Sequence, residues 1–186
     1  MGSVLAFPIA AALAVICRKR WEDTVLPVTT AMIAVLLLSG MFTTFLPGVV
    51  FCILAALAAT VFCVRTALRD RKALTTVLLS PGVLFYLLFF LFFLYINLGG
   101  VVAGKADTWA HWALAVKNNR YFDDLVIGSP STDRYATYPP ALPIWNYLST
   151  RLWFRYSEGM TLLGQDMLYV TLLAPLFRII PAGRYP

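Results

Sequence analysis

The sequence predicts an all-α fold, a polytopic transmembrane bundle of about six helices with an extracytoplasmic loop that contains a helix lying at the membrane surface. Two observations predict it. Apolar residues make up 60% of the 186 and charged residues only 13%, against about 45–50% and about 25% in soluble domains. The apolar residues also come in blocks, with the charges gathered in the gaps between them. A soluble fold needs polar residues to cover its surface, whereas lipid-solvated segments need none.

The first block runs from about Gly2 to Cys17 and is short for a hydrocarbon core of ~30 Å. The second runs from about Thr24 to Phe45. After the uncharged turn Leu46-Pro47-Gly48, the third reaches about Val64. A basic gap follows, Arg65 to Lys72. The fourth block ends near Leu98 and is densest from Val83 to Ile96. Its rings Phe85, Tyr86, Phe89, Phe90, Phe92, Phe93 and Tyr95 cover every helical face, which suggests lipid contact more than one packed stripe. Residues 99–138 are polar, aromatic and rich in turn formers. A fifth block opens at Pro139-Pro140 and runs to about Phe154, and a sixth spans about Met160 to Phe177. The chain thus divides into a four-helix block (1–98), an external loop (99–138) and a closing helix pair (139–186). Pro8, Pro27, Pro81 and Pro175 are tolerable in membrane helices where neighbours satisfy the freed carbonyls. Because the chain stops soon after a helix, at Arg184-Tyr-Pro186, it is expected to be the amino-terminal part of a longer protein or to need a partner subunit.

The N-terminus lacks the basic start of a secretory signal, and Arg18, Lys19 and Arg20 follow the first apolar block instead. The first helix is therefore expected to be retained, with its N-terminus outside the cytoplasm. In this orientation the gaps holding Arg18–Arg20, Arg65–Lys72, and Arg151 with Arg155 are cytoplasmic, as the bias of Lys and Arg requires. Arg178 and Arg184 would then lie outside and run against the bias. The loop 99–138 is extracytoplasmic, and the membrane is the plasma membrane of a bacterium. The net charge of +6 is accounted for by these clusters. No basic domain is left to hold a phosphate backbone, so nucleic acid is excluded as a partner. Cys52 and Cys63, about 16 Å apart on one helix, are too distant for a disulfide, and the three cysteines read as small apolar residues.

Chemistry is gathered in the loop, where the chain reads Lys105-Ala-Asp107-Thr-Trp109-Ala-His111-Trp112 and continues to Lys117-Asn118-Asn119-Arg120. Asp107 suits an N-cap and Asn118-Asn119 a stop. Between them Trp109, Trp112, Ala113 and Val116 share one face, as expected of a helix lying flat in the headgroup zone. Asp107 and His111 are four apart and stack on one face. They form either a base with its neighbour, two ligands of a divalent cation, or a cap beside an interfacial polar residue; spacing alone favours the last. Two ligands do not make a metal site, which usually needs three or more. Arg134, Tyr135, Tyr138, Pro139 and Pro140 make a rigid, aromatic entry to the fifth block. Asp166, inside the sixth block, is an intramembrane carboxylate and so a functional candidate; it is expected near the cytoplasmic end, within reach of Arg151 or Arg155.

An Asp on an external loop, His-Trp on a surface helix, and Tyr-Pro-Pro opening the next span together resemble the polyprenol-dependent glycosyltransferases of the GT-C superfamily. The likeness is greatest to bacterial multi-spanning members with an Asp-x-x-x-His-Trp loop, and it covers about Lys105 to Tyr147. The loop follows four helices here, whereas in many members it follows the first. The resemblance implies that a sugar passes from a lipid-phosphate donor to an envelope glycan, lipid or protein acceptor at the outer face. It casts Asp107 as catalytic base, or as ligand of a divalent cation (Mg or Mn), with His111 orienting it. Lys105, Lys117 and Arg134 would hold the donor phosphate, and Trp109, Trp112 and Tyr138 would stack on sugar or line the lipid entrance. Partners are then the lipid-linked donor and membrane lipids. A non-enzymatic component of envelope polysaccharide assembly would use the same loop to bind a glycolipid without cleaving it. An ion or solute transporter ranks last, because Asn97, Gln165 and Asp166 are few and near helix ends.

Overall fold

A computed structural model describes residues 1–98, 113–125, 140–153 and 156–180. These residues form helices and connecting turns, and no strand occurs among them. The helices are α1 (Gly2–Cys17), α2 (Val25–Phe42), α3 (Phe45–Arg69), α4 (Arg71–Leu78), α5 (Pro81–Leu98), α6 (Leu114–Phe122), α7 (Ala141–Arg151) and α8 (Glu158–Leu173). Short 3-10 turns, Trp21–Asp23 and Ala174–Ile179, lead into α2 and extend α8. Four helical stretches are long and apolar enough to cross a membrane: Trp21–Phe42, Phe45–Arg69, Pro81–Leu98 and Glu158–Ile179.

The α2–α3 hairpin turns on Thr43 and Thr44. The Gly48 amide donates to Ser39 Oγ at 3.0 Å. A Cβ on Gly48 would stand 3.2 Å from the Leu36 Cα, so glycine is what lets the two backbones cross this closely. The basic gap after α3 is itself helical. Arg65 and Arg69 lie in the last turns of α3, and Asp70 breaks the helix and caps α4 by accepting from the Ala73 amide at 3.1 Å. On α5, only Gly82, Val83, Tyr86 and Asn97 are buried. Its leucines, Leu94 apart, face outward, as expected of a helix solvated by lipid, while Phe85, Phe89, Phe90 and Phe93 pack partly against the core.

Hydrogen bonds sort the chain into two ends. At one, here the basic end, Arg20 donates from Nη1 to the Ile180 carbonyl at 2.8 Å, and Arg178 stands 3.6 Å from Asp23. Glu22 is fully buried there. It pairs with Arg20 at 2.7 Å and accepts from the Gly82 amide at 3.4 Å, at the start of α5. At the other, the loop end, the Asn97 carbonyl of α5 presses on Gly159 of α8, and α3 begins against Asp123, which follows α6.

Three expectations are corrected by this arrangement. The fifth apolar block is not a span: α7 has 11 residues, about 16 Å of helix, and Pro143 to Thr150 are all buried. Its apolar residues serve a protein interior, where they pack on α6 and α8. Because α7 stays at the loop end, α8 descends to the basic end, and Arg178 joins Asp23 instead of lying opposite to it. Arg151 correspondingly sits beside Arg120 at the loop end. Arg184 and Arg155 lie outside the described residues.

α7 also reaches the start of α1. The Gly2 amide donates to Ser149 Oγ at 3.3 Å, and a Cβ on Gly2 would meet the Trp145 ring at 3.2 Å. Protein therefore packs on that end of α1.

Candidate functional site

Lys105, Asp107, Trp109, His111 and Trp112 precede α6 in sequence, and Arg134 and Tyr138 precede α7; all seven lie outside the described residues. So does most of the stretch expected to lie flat at the surface. Lys117 is the sequence-predicted site residue that falls among the described ones.

The helix expected to stop at Asn118-Asn119 instead runs through to Phe122, and Asp123 takes the left-handed conformation that ends it (φ 55°). Asn119 is buried inside the helix. With its amide turned so that nitrogen faces acceptors, it donates to the Ala115 and Asp124 carbonyls at 3.3 and 3.1 Å. An asparagine satisfied in this way has no reason to end a helix, while Asp tolerates the left-handed region through local hydrogen bonding. Ala115 and Val116 bury the inner face of α6.

Asp123 is a junction that sequence reasoning missed. Its carbonyl accepts from the Phe45 amide at 2.9 Å and its carboxylate from the Leu46 amide at 3.2 Å. These are first-turn amides of α3, where a carboxylate also meets the positive end of the helix dipole. The same carboxylate accepts from the Tyr147 hydroxyl of α7, whose ring lies 4.7 Å from that of Phe45. Burial, and then the Asp123 charge, push the Tyr147 phenol well above the ordinary tyrosine range. No local signal marks this pair; only a tyrosine beside Asn146 in an apolar block hints at a polar partner.

Arg120 secures the other side of α6. Its guanidinium donates to the Thr150 carbonyl and, at 3.1 Å, to that of Trp153, at the exposed carbonyl end of α7. Burial and the neighbouring Arg151 lower its pKa. Lys117, one turn earlier, stands 3.8 Å from the Glu158 carboxylate and 5.1 Å over the centre of the Tyr156 ring. Between α6 and Tyr156 lies a groove of about 620 Å³ lined by Leu114, Lys117, Asn118, Arg120, Tyr121 and Tyr156. It carries cations, aromatic faces and an adjacent carboxylate at the loop end of the bundle.

Asp166 is also at this end. It accepts from Asn97 Nδ2 at 3.0 Å, and no ion pair joins it to Arg151 among the described residues. Comparison of the chain with family models, with curated proteins and with solved structures yields no match.

Proposed function

We propose that this chain is part of a membrane glycosyltransferase of the GT-C type, moving a sugar from a lipid-phosphate donor to an envelope acceptor at the outer face of a bacterial plasma membrane. The observation that carries the reading is the sequence from Asp107 through His111-Trp112 to Tyr138-Pro139-Pro140. The cationic, aromatic groove on α6, which lies between the two halves of this motif, gives it physical support. The loop 99–138 and the N-terminus are extracytoplasmic, with the basic end in the cytoplasm. Eight of the eleven described Lys and Arg residues then lie on the cytoplasmic side: Arg18, Lys19, Arg20, Arg65, Arg69, Arg71, Lys72 and Arg178. Lys117, Arg120 and Arg151 make up the other three. Counted with α1, five helices cross, and the stretch around Trp109 and Trp112 lies at the surface.

In the reaction, Asp107 takes the proton from the attacking hydroxyl, and an inverting displacement needs only that one base. Alternatively Asp107 would be a ligand of a Mg or Mn ion, which would supply Lewis-acid polarisation when bound, a route that chelation of the metal separates from the first. His111 orients Asp107. Lys105 and Arg134 counter the charge that develops on the donor phosphate, and Trp109, Trp112 and Tyr138 meet sugar and lipid. A partner subunit or further helices complete the enclosure of the lipid tail. The test is transfer of labelled sugar from a polyprenyl-phosphate donor to acceptor in membranes containing the protein as the cell makes it. Glycolipid binding without transfer would replace this reading with the non-enzymatic one.

A further inference from the structure

We propose that the groove between α6 and Tyr156 is a carbohydrate subsite that takes a neutral sugar unit rather than a phosphate. The proposal deepens the glycosyltransferase reading by naming what this part of the site recognises, and it rests on that reading only for the sugar's origin. Four features of the groove carry it.

The cations are already engaged. Arg120 donates to two carbonyls at the end of α7. Lys117 faces Glu158 at 3.8 Å and lies over the Tyr156 ring. A phosphate entering here would meet the Glu158 carboxylate, and a phosphate diester or dianion can only accept hydrogen bonds. A sugar hydroxyl both donates and accepts, so adjacent hydroxyls match an ammonium and a carboxylate set side by side.

The donor left over is neutral. Asn118 Nδ2 is withdrawn from water and has no hydrogen-bond partner among the described residues. The Tyr156 hydroxyl lies near Thr161 without closing a hydrogen bond of normal geometry, and Thr161 Oγ1 is turned to the Ser157 carbonyl at 3.2 Å. Buried donors left unmade are costly, and acceptor oxygens brought by a ligand would relieve them.

The groove also offers an exposed aromatic ring, which stands edge to face with Phe122 at 4.9 Å. Tyr121 is 84% exposed on the groove wall, and a sugar ring presents an apolar C–H face that packs on such a ring. Finally, a void of about 620 Å³ falls in the range of ~300–1,000 Å³ found for small-molecule sites. Lys117 therefore belongs to sugar recognition, leaving Lys105 and Arg134 to the phosphate.

The probes are the methyl glycosides of glucose, galactose, mannose and arabinose, with inorganic phosphate as the anionic comparator. The chain is purified in a polyoxyethylene detergent, which has no sugar headgroup. Saturation-transfer NMR is expected to show magnetisation passing to at least one glycoside. Its affinity should fall about tenfold in Asn118→Leu, the scale of one lost hydrogen bond, and similarly in Tyr121→Ala, which alters an exposed side chain and should fold. Tyr169→Ala, a half-exposed change on α8 away from the groove, should leave it unchanged. No transfer to any glycoside, or transfer indifferent to both groove variants, would overturn the proposal. Displacement of bound glycoside by phosphate, with phosphate binding lost in Asn118→Leu, would overturn it in favour of an anion site. Sugar transfer in membranes tells the two readings apart: full activity in both groove variants, together with loss in Asp107→Asn, would remove the subsite and leave the enzyme.

Discussion

Arg20 donates to the Ile180 carbonyl at 2.8 Å, which joins the turn after the first helix to the end of the last. This contact sets the parity of the bundle. A cysteine at Arg178 should share the accessibility of one at Thr66, both reacting with an impermeant thiol reagent only after cells are permeabilised. Cysteines at Ser129 and Ser131, on a background lacking the native three, should react in intact cells. Reaction of the Arg178 cysteine in intact cells would restore a sixth crossing.

Gly82 is expected to resist substitution. A Cβ there would stand 2.1 Å from Glu22 Cγ, and Glu22 is buried with Arg20 as its ion-pair partner. Gly82→Ala must push the carboxylate away from the Arg20 guanidinium or open the start of α5. Overpacking of this kind costs about 1–3 kcal/mol, and disturbing a buried pair adds to it. Thermal unfolding of the purified protein should show the loss.

The spans were legible because lipid leaves a direct trace in composition. The first apolar block, read as Gly2 to Cys17, coincides with α1, and the blocks ending near Phe45 and Leu98 lie within a few residues of α2 and α5. The fifth block misled because a buried helix is as apolar as a spanning one, and periodicity does not separate them. Its buried Asn146, Ser149 and Thr150 were the available signal, since such groups suit a protein interior better than lipid. The Asp123–Tyr147 and Glu22–Gly82 contacts join residues far apart in the chain, and no local pattern encodes them. Of the residues lining the groove, sequence reading singled out Lys117 for another role and passed over Tyr121, which reaches the groove because α6 runs on past the two asparagines.

The Asp123–Tyr147 hydrogen bond should be visible in the pH dependence of stability. The folded phenol is held above its ordinary value of about 10, so above pH ~10 the unfolded chain loses a proton that the folded chain keeps. The stabilisation is therefore complete below that pH and fades as pH rises beyond it. Tyr147→Phe, which leaves the carboxylate without this donor, should cost about 1–3 kcal/mol near neutrality. The gap between wild type and variant should narrow in alkaline buffer. A gap that stays constant or widens above pH ~10 would contradict the assignment.

The most direct test of the central claim is Asp107→Asn. Asparagine keeps the size of the side chain and ranks with aspartate as a helix cap, so a capping role predicts near-normal activity and stability. A base or metal ligand predicts otherwise, because loss of a general base typically costs on the order of 10²–10⁴-fold in rate, or about 3–5 kcal/mol of transition-state stabilisation. The measurement is transfer of labelled sugar from membrane lipid to acceptor, in the protein as the cell makes it, with its amount checked by immunoblot. The account predicts transfer reduced by a hundredfold or more (on the scale of a lost base) with glycolipid binding retained, and a milder loss in His111→Gln. Near-normal transfer by the Asp107→Asn variant would return Asp107 to the role of a helix cap and contradict the glycosyltransferase reading.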